Sequence, residues 1–501
     1  VQVDANKKLT TNTNVGLVAT NGSSSNRSKA INKGTIISKV NGGVGLYANN
    51  NSEATNDIAG KITMENKGSA AILGENNSIL TNKKDIELKE EESAGIYAKD
   101  SLATNSVTSS SPAVKAKISL EKTKSAGMYS VLTNLADGDK KILNQANGAD
   151  KASIEIGANA TSSAGMFGKV ESNATKVLTL ENAGNIQVGA TSSVGMYAQN
   201  ETADEDKLLV NNTGLINVTK ENSVGINASK RATITNSGVT ANGNGIVLSA
   251  KKTAGIIGNN NSIVTNTGDI TLNSTTQPTN SSEGLVGISV DKTSTVTNSG
   301  TITVSNDYST GISGKGGRIT NNNKIILNNI NSVGISSTDG SVFNSADTNN
   351  LIEVKNSNSV GIFAKLIENV PFSPFQAILN KGTITLNGGN SKSSSVGIYS
   401  LIEDKAVQNN SSQQIANTGE INVGTKGSAG IYVKDNRTSG TDVVSFIRNE
   451  KDINVAEESS AGIIGEYSQI TNGNPQNTNG KIELSAKKTA GIIANKKSEV
   501  I

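Results

Sequence analysis

Apolar residues recur along this chain in short alternating runs, each bounded by Gly, Asn or Ser. The stretch Gly287-Ile288-Ser289-Val290, Ser294-Thr295-Val296-Thr297-Asn298 and Gly300-Thr301-Ile302-Thr303-Val304 holds three such runs within one interval. Period-two alternation rich in β-branched residues predicts short strands, whereas a helix would space its apolar positions three and four apart. The three-run unit then repeats. A Ser-Val/Ala-Gly-Ile-Tyr motif returns seventeen times between Gly16 and Gly491, at intervals of 23 to 38 residues, with Ala71 once standing in for the glycine. A fixed unit carrying insertions explains the variable interval. Three strands in 23 residues suit one turn of a three-sided coil, in which each strand pairs in parallel with its equivalent in the next turn, better than a hairpin meander. The sequence therefore predicts an all-β, right-handed, three-sided parallel β-helix (a solenoid). It should have about 17 rungs over residues 1–501, as a single continuous segment about 80 Å long at roughly 4.8 Å per rung.

Strand parity assigns the faces. In the first strand the residue before the motif glycine is small and apolar (Val194, Ala461) and the one after it is Leu, Ile or Met (Leu46, Met128, Ile431), so both are expected to face inward. The second strand carries an apolar residue two before an Asn: Leu80 and Asn82, Ile234 and Asn236, Val296 and Asn298, Ile378 and Asn380. Persisting parity turns those asparagines inward, where stacked amides satisfy one another as a structural ladder. The third strand supplies inward pairs such as Ile270 with Leu272 and Ile302 with Val304. Insertions at 99–116, 130–141, 199–209, 364–377 and 433–445 read as lying between first and second strands, hence on one edge, where loops on a rigid scaffold usually carry recognition.

Composition narrows the chemistry. The chain has no His, Cys or Trp, which removes thiol chemistry, disulfides, His or Cys zinc sites and His-dependent triads. No enzyme activity, cofactor or metal is expected. A net charge of +3 over 501 residues leaves no one-sign field for nucleic acid, and no 18-residue apolar span predicts membrane insertion. The acidic groups Asp137-Gly138-Asp139, Asp204-Glu205-Asp206 and Glu90-Glu91-Glu92 offer oxygen ligands but lack a calcium-loop pattern, and read as solvated loop charge. No carboxylate pair of the kind sugar-cleaving enzymes need stands out. Gly311-Ile312-Ser313-Gly314-Lys315-Gly316-Gly317 lacks phosphate-loop spacing and reads as a tight corner. The chain starts at Val1, shows no signal peptide and stops inside a repeat, so the natural protein is expected to continue in both directions.

Candidate binding residues come from the aromatics. The outward position two after the glycine is Tyr47, Tyr97, Tyr129, Phe167 and Tyr197, then Asn227, Ser289, Ser313 and Ser336, then Phe363, Tyr399 and Tyr432. Between these stripes and an outer column of glycines a bare strip would admit a sugar or a backbone. Equally, the rings are good cross-strand neighbours or pack beneath the insertions. Within Val370-Pro371-Phe372-Ser373-Pro374-Phe375, stiff backbone beside exposed rings lowers the ordering cost of binding, unless the rings fold back onto the coil. The candidate partner-binding residues are Pro371, Phe372, Pro374, Phe375, Tyr97, Tyr129, Tyr197, Tyr399 and Tyr432.

The strings Ser93-Ala94-Gly95-Ile96-Tyr97-Ala98, Ser193-Val194-Gly195-Met196-Tyr197-Ala198 and Asn380-Lys381-Gly382-Thr383-Ile384-Thr385-Leu386 resemble the passenger repeats of the large fusobacterial type V autotransporter adhesins, over essentially the whole chain. The resemblance implies display on the bacterial surface, outside the outer membrane, through a C-terminal β-barrel. It implies partners of the kinds relatives bind: a host cell-surface protein such as an immunoglobulin-like immune receptor, a galactose-type glycan, or other bacteria. No functional residue carries over from it. A passive stalk that holds a distal tip and a β-helix polysaccharide lyase or hydrolase are the competing functions.

Overall fold

The computed structural model describes residues 1–11, 14–109, 112–367, 377–403, 413–436, 445–473 and 480–501. The chain forms two compact units, residues 1–263 and 264–501, each taken by itself below. In the first unit the motif copies open nine strands of one sheet, from Val15–Ala19 to Ala254–Gly258. A second sheet runs from Gln2–Val3 through Lys29–Asn32 to Thr233–Asn236, and a third from Lys8–Thr11 through Thr35–Ser38 to Gly245–Leu248. Neighbouring strands pair in parallel, residue against equivalent residue: Ile96 with Met128, Asn82 with Asn105, Ile86 with Ile118. The second unit repeats the plan with eight motif strands, Val286–Val290 to Ala490–Asn495, beside second-sheet strands such as Thr295–Asn298 and third-sheet strands such as Ile302–Val304. Each unit is a three-sided parallel β-helix.

Every turn between the first and the last puts one apolar residue or more from each side into the core. Leu46, Met128, Ile431, Leu80, Ile234, Ile270, Leu272, Ile302 and Val304 are fully buried, at about 1.5–3 kcal/mol per large side chain. The asparagine ladder is present. In the first unit Asn32, Asn56, Asn82, Asn105, Asn144, Asn182, Asn212 and Asn236 pass one amide N–H to the next Oδ1 at 2.8–2.9 Å. In the second, Asn266, Asn298, Asn321, Asn344, Asn380, Asn417, Asn449 and Asn472 do the same at 2.7–2.8 Å. Most also donate to a nearby backbone carbonyl, as Asn82 does to Lys84 at 2.8 Å, so the buried amide is satisfied.

A second polar column comes from the motif serine. The backbone N–H groups of Ser69, Ser93, Ser125, Ser163 and Ser193 each donate to the hydroxyl of the serine one rung on, at 3.0–3.3 Å. The hydroxyl in turn donates to a carbonyl, Ser223 to Ala190 at 2.8 Å. That pairing explains why the motif begins with Ser: the corner N–H groups would otherwise be buried without acceptors. The Gly311–Gly317 stretch is a strand, Thr310–Lys315, ending in a tight turn at Gly316, where φ is +75° and an added Cβ would lie 2.5 Å from Lys292 Cβ.

Two sequence expectations are corrected. The residue before the motif glycine does not share the inward face: Val194 is half-buried, while Gly195 and Met196 are consecutive buried positions. The strand changes face at the glycine. Its Cα packs against the next rung, so a Cβ on Gly195 would lie 2.6 Å from the Gly225 carbonyl oxygen and 2.8 Å from Ile216 Cγ2. The glycines are therefore interior rather than an outer column. The insertions also do not keep to one edge. Four of the five spans behave as read, following the first strands that end at Leu132, Asn200, Leu366 and Asp435 and preceding the next second strand, but 106–116, 145–152 and 237–244 lie between second and third, and 273–285 between third and first. The span 99–116 misled because it contains a ladder strand, Leu102–Asn105, whose one inward apolar residue is Ala103.

Candidate functional site

In the first unit parallel register places the rings of successive motif copies directly over one another. Tyr97 and Tyr129 stack with centroids 5.1 Å apart and planes 8° apart, Tyr129 and Phe167 at 4.6 Å and 1°, Phe167 and Tyr197 at 5.1 Å and 18°. Offset ring pairs at such separations contribute about 0.5–1.5 kcal/mol each beyond their area. In the second unit Phe363 meets Tyr399 tilted at 47° and 5.5 Å, and Tyr399 stacks on Tyr432 at 5.3 Å. The candidates Tyr97, Tyr129 and Tyr197 thus come together in one site, and Tyr399 and Tyr432 in another. Pro371, Phe372, Pro374 and Phe375 lie outside the described residues.

Beside the first stack runs an open groove of about 410 Å³. One wall is the rings of Tyr129, Phe167 and Tyr197; the floor is Ala126, Ala164 and Val194; the far rim is Lys124, Ser162 and Ser192. The floor residues are the ones that precede the motif glycine, so the change of face at that glycine makes the groove. The rim residues hold the left-handed corner conformation, with φ of 56°, 54° and 55°. That geometry is uncommon outside glycine and asparagine, and all three residues line the groove. Burial pushes the Tyr129 hydroxyl above its ordinary value; burial, then the neighbouring Tyr129 and Glu75, does the same for Tyr97. Both stay neutral hydrogen-bond donors at physiological pH. A second groove, of about 320 Å³, occupies the equivalent place in the second unit, with Tyr432, Ile464 and Ile493 as wall and Ala429, Ala461 and Ala490 as floor.

The insertion 133–139 is held at both feet by buried charged groups. Asp100, 2% exposed, accepts from the Thr133 N–H at 2.7 Å and from its hydroxyl at 2.6 Å. Lys140, 4% exposed, donates to Asn77 at 3.2 Å and to Asp137 at 2.6 Å, and that bond holds the Asp137 carboxyl below its ordinary pKa. Leu135 stands out from this pinned loop, 71% exposed. The acidic groups are engaged within the chain: Asp139 accepts from Val177 N at 2.9 Å, Asp204 caps the short helix Glu205–Lys207, and Glu92 lies 3.7 Å from Lys124.

Sequence reasoning missed the floor and the rim. The small residue before the glycine was visible in every copy, but parity alone put it inside.

Comparison with known families bears on the second unit most. Residues 238–443 match the family described as the BigA third pectate lyase-like domain. BigA is an autotransporter adhesin, so this stretch is similar to a β-helix domain of an adhesin-like passenger. The BigA-like stretch contains Tyr399 and Tyr432, whereas the groove on the first unit lies outside it. No curated protein and no solved structure matches the chain.

Proposed function

We propose that this chain is a passenger segment of a bacterial surface adhesin, exposed outside the outer membrane, that attaches the cell to a host surface. Its partner is a host cell-surface protein, an immunoglobulin-like immune receptor being one such class, or a galactose-type glycan, with other bacteria as a further target. The observation that carries the reading is the apolar groove beside the four-ring stack, held on a rigid scaffold, together with the exposed Leu135 of a pinned loop on the same unit. The likeness to a BigA domain supports the adhesin class. We read the chain as a binding scaffold and not an enzyme. Its outward carboxylates support this, since several are taken up by a lysine one rung away, as in Lys61–Glu87 at 2.6 Å and Lys117–Glu155 at 2.5 Å.

Beads coated with the purified chain are expected to adhere to epithelial cells. Deleting 133–139 together with Phe167→Ala should reduce adhesion about tenfold or more while the β-sheet circular dichroism stays unchanged. Adhesion that survives both changes would sink the reading; a wild-type chain that adheres to nothing would favour a stalk. The description of the matched family keeps a polysaccharide lyase as the second reading, and release of oligosaccharides from a polysaccharide panel would establish it.

A further inference from the structure

We infer that the groove on the first unit takes a short, extended, apolar segment of a protein in preference to a sugar; this rests on the adhesin reading and names the partner's chemistry at that site. Aromatic side chains hold a sugar ring chiefly through their faces, where the negative side of the ring quadrupole meets the sugar's C–H groups. In this stack no face is on offer. Tyr129 and Phe167 cover one another at 4.6 Å, and Tyr97 and Tyr197 cover their remaining faces at 5.1 Å. The outer faces of the two end rings look along the stack towards Leu73 and Asn227, their register partners in the adjoining strands. The groove meets ring edges, the positive side of the quadrupole.

The rest of the groove has a matching polarity. Its floor carries the methyl groups of Ala126, Ala164 and Val194; of the other lining residues, the Ser125 and Ser163 hydroxyls donate to the Thr123 and Thr161 carbonyls, and Gln199 lies two residues beyond Tyr197 along its strand. Its margins carry donors. The side-chain hydroxyls of Ser162, Ser192, Tyr129 and Tyr197 make no hydrogen bond among the described residues, in contrast to Tyr47, whose hydroxyl donates to Glu75 at 2.8 Å. At one end stands the Lys124 ammonium, its side chain 66% exposed. The complement is a strip that is apolar beneath and rich in carbonyl acceptors along both sides. An extended peptide has this build, because alternate side chains point to one face while the backbone carbonyls point sideways. A sugar would instead bring hydroxyls against methyl groups and ring edges, with no face to stack on. The three floor residues span two rung intervals, about 10 Å, the reach of roughly three extended residues.

The test is binding of the full chain to epithelial cells pretreated with trypsin or, separately, with periodate, alongside Ala164→Glu and Tyr129→Phe. Trypsin is expected to lower binding about tenfold or more and periodate to leave it within about twofold. Ala164→Glu, which sets a carboxylate on the methyl floor, should lower binding about tenfold; Tyr129→Phe, which keeps the stack and deletes one hydroxyl, should lower it by about two- to fivefold with an unchanged melting temperature. Loss of binding after periodate, or wild-type binding by both variants, would overturn the inference and leave the adhesin reading standing. A wild-type chain that binds no cell would overturn both.

Discussion

A buried asparagine is costly on its own, since an amide removed from water without hydrogen bonds loses roughly 2–7 kcal/mol. The ladder converts that cost into a specification of register. Asn182 accepts from Asn144 and donates to Asn212, both at 2.8 Å, and an Asn→Ala change there strands the Asn212 oxygen and one Asn144 donor. We expect Asn182→Ala to lower unfolding free energy by about 2–6 kcal/mol in a denaturant titration, about 1–3 for each of the two abandoned groups. A loss below about 0.5 kcal/mol would mean that the ladder is ornamental. Tyr47 gives a pH prediction. Its hydroxyl is pushed from 10.0 up to about 12 by burial, then by its hydrogen bond to Glu75 and the charge of that group. Because the folded value lies above the unfolded one, the contribution is full below pH 10 and disappears as pH rises towards 12. Stability measured across that window should fall, with a shallower fall in Tyr47→Phe; an unchanged slope would rule out this assignment.

At the scale of the strand, the second and third sides of each turn were legible because their alternation is uninterrupted. Val296 with Asn298 and Ile302 with Val304 follow parity to the letter, and all are buried. The first side was legible only beyond the glycine. Parity counts residues, and it cannot register a strand that turns over where a missing side chain lets two rungs approach. That single local event decides the site, because it brings Ala126, Ala164 and Val194 out beside the rings. Ladder strands such as Glu53–Asn56 and Leu102–Asn105 were overlooked for a related reason: Ala54 and Ala103 bury too little surface to stand out as inward residues. The pinned loop was beyond reach, since Asp100 and Lys140 have no periodic signature and meet their partners only after folding. The ring stack itself was readable from position alone, and its strength is testable. Phe167→Ala removes two ring pairs and should cost about 1–3 kcal/mol, with a reduced tyrosine signal in near-ultraviolet circular dichroism. An unaltered spectrum would mean the rings do not stack in solution.

At the scale of the molecule, a solenoid separates what holds it up from what it displays. Each strand pairs only with its equivalents in the adjoining rungs, so the Asn and Ser columns and the apolar core fix the spacing while insertions at any of the three corners vary without disturbing it. Adhesive surfaces can change on such a scaffold one loop or one outward column at a time. All of this depends on successive motif copies stacking as equivalent rungs in register. Because the chain has no cysteine, paired spin labels can be placed cleanly at Thr55→Cys and Thr235→Cys. These outward second-sheet positions are linked rung by rung through Thr81, Thr104, Leu143, Glu181 and Asn211. Pulsed electron-spin distance measurement should give one narrow peak near 29 Å, six rungs at about 4.8 Å, and a peak about 5 Å shorter when the second label moves to Asn211→Cys. A broad distribution, or a distance that does not change with the rung, would contradict the stacked coil and with it the inside and outside on which the groove depends.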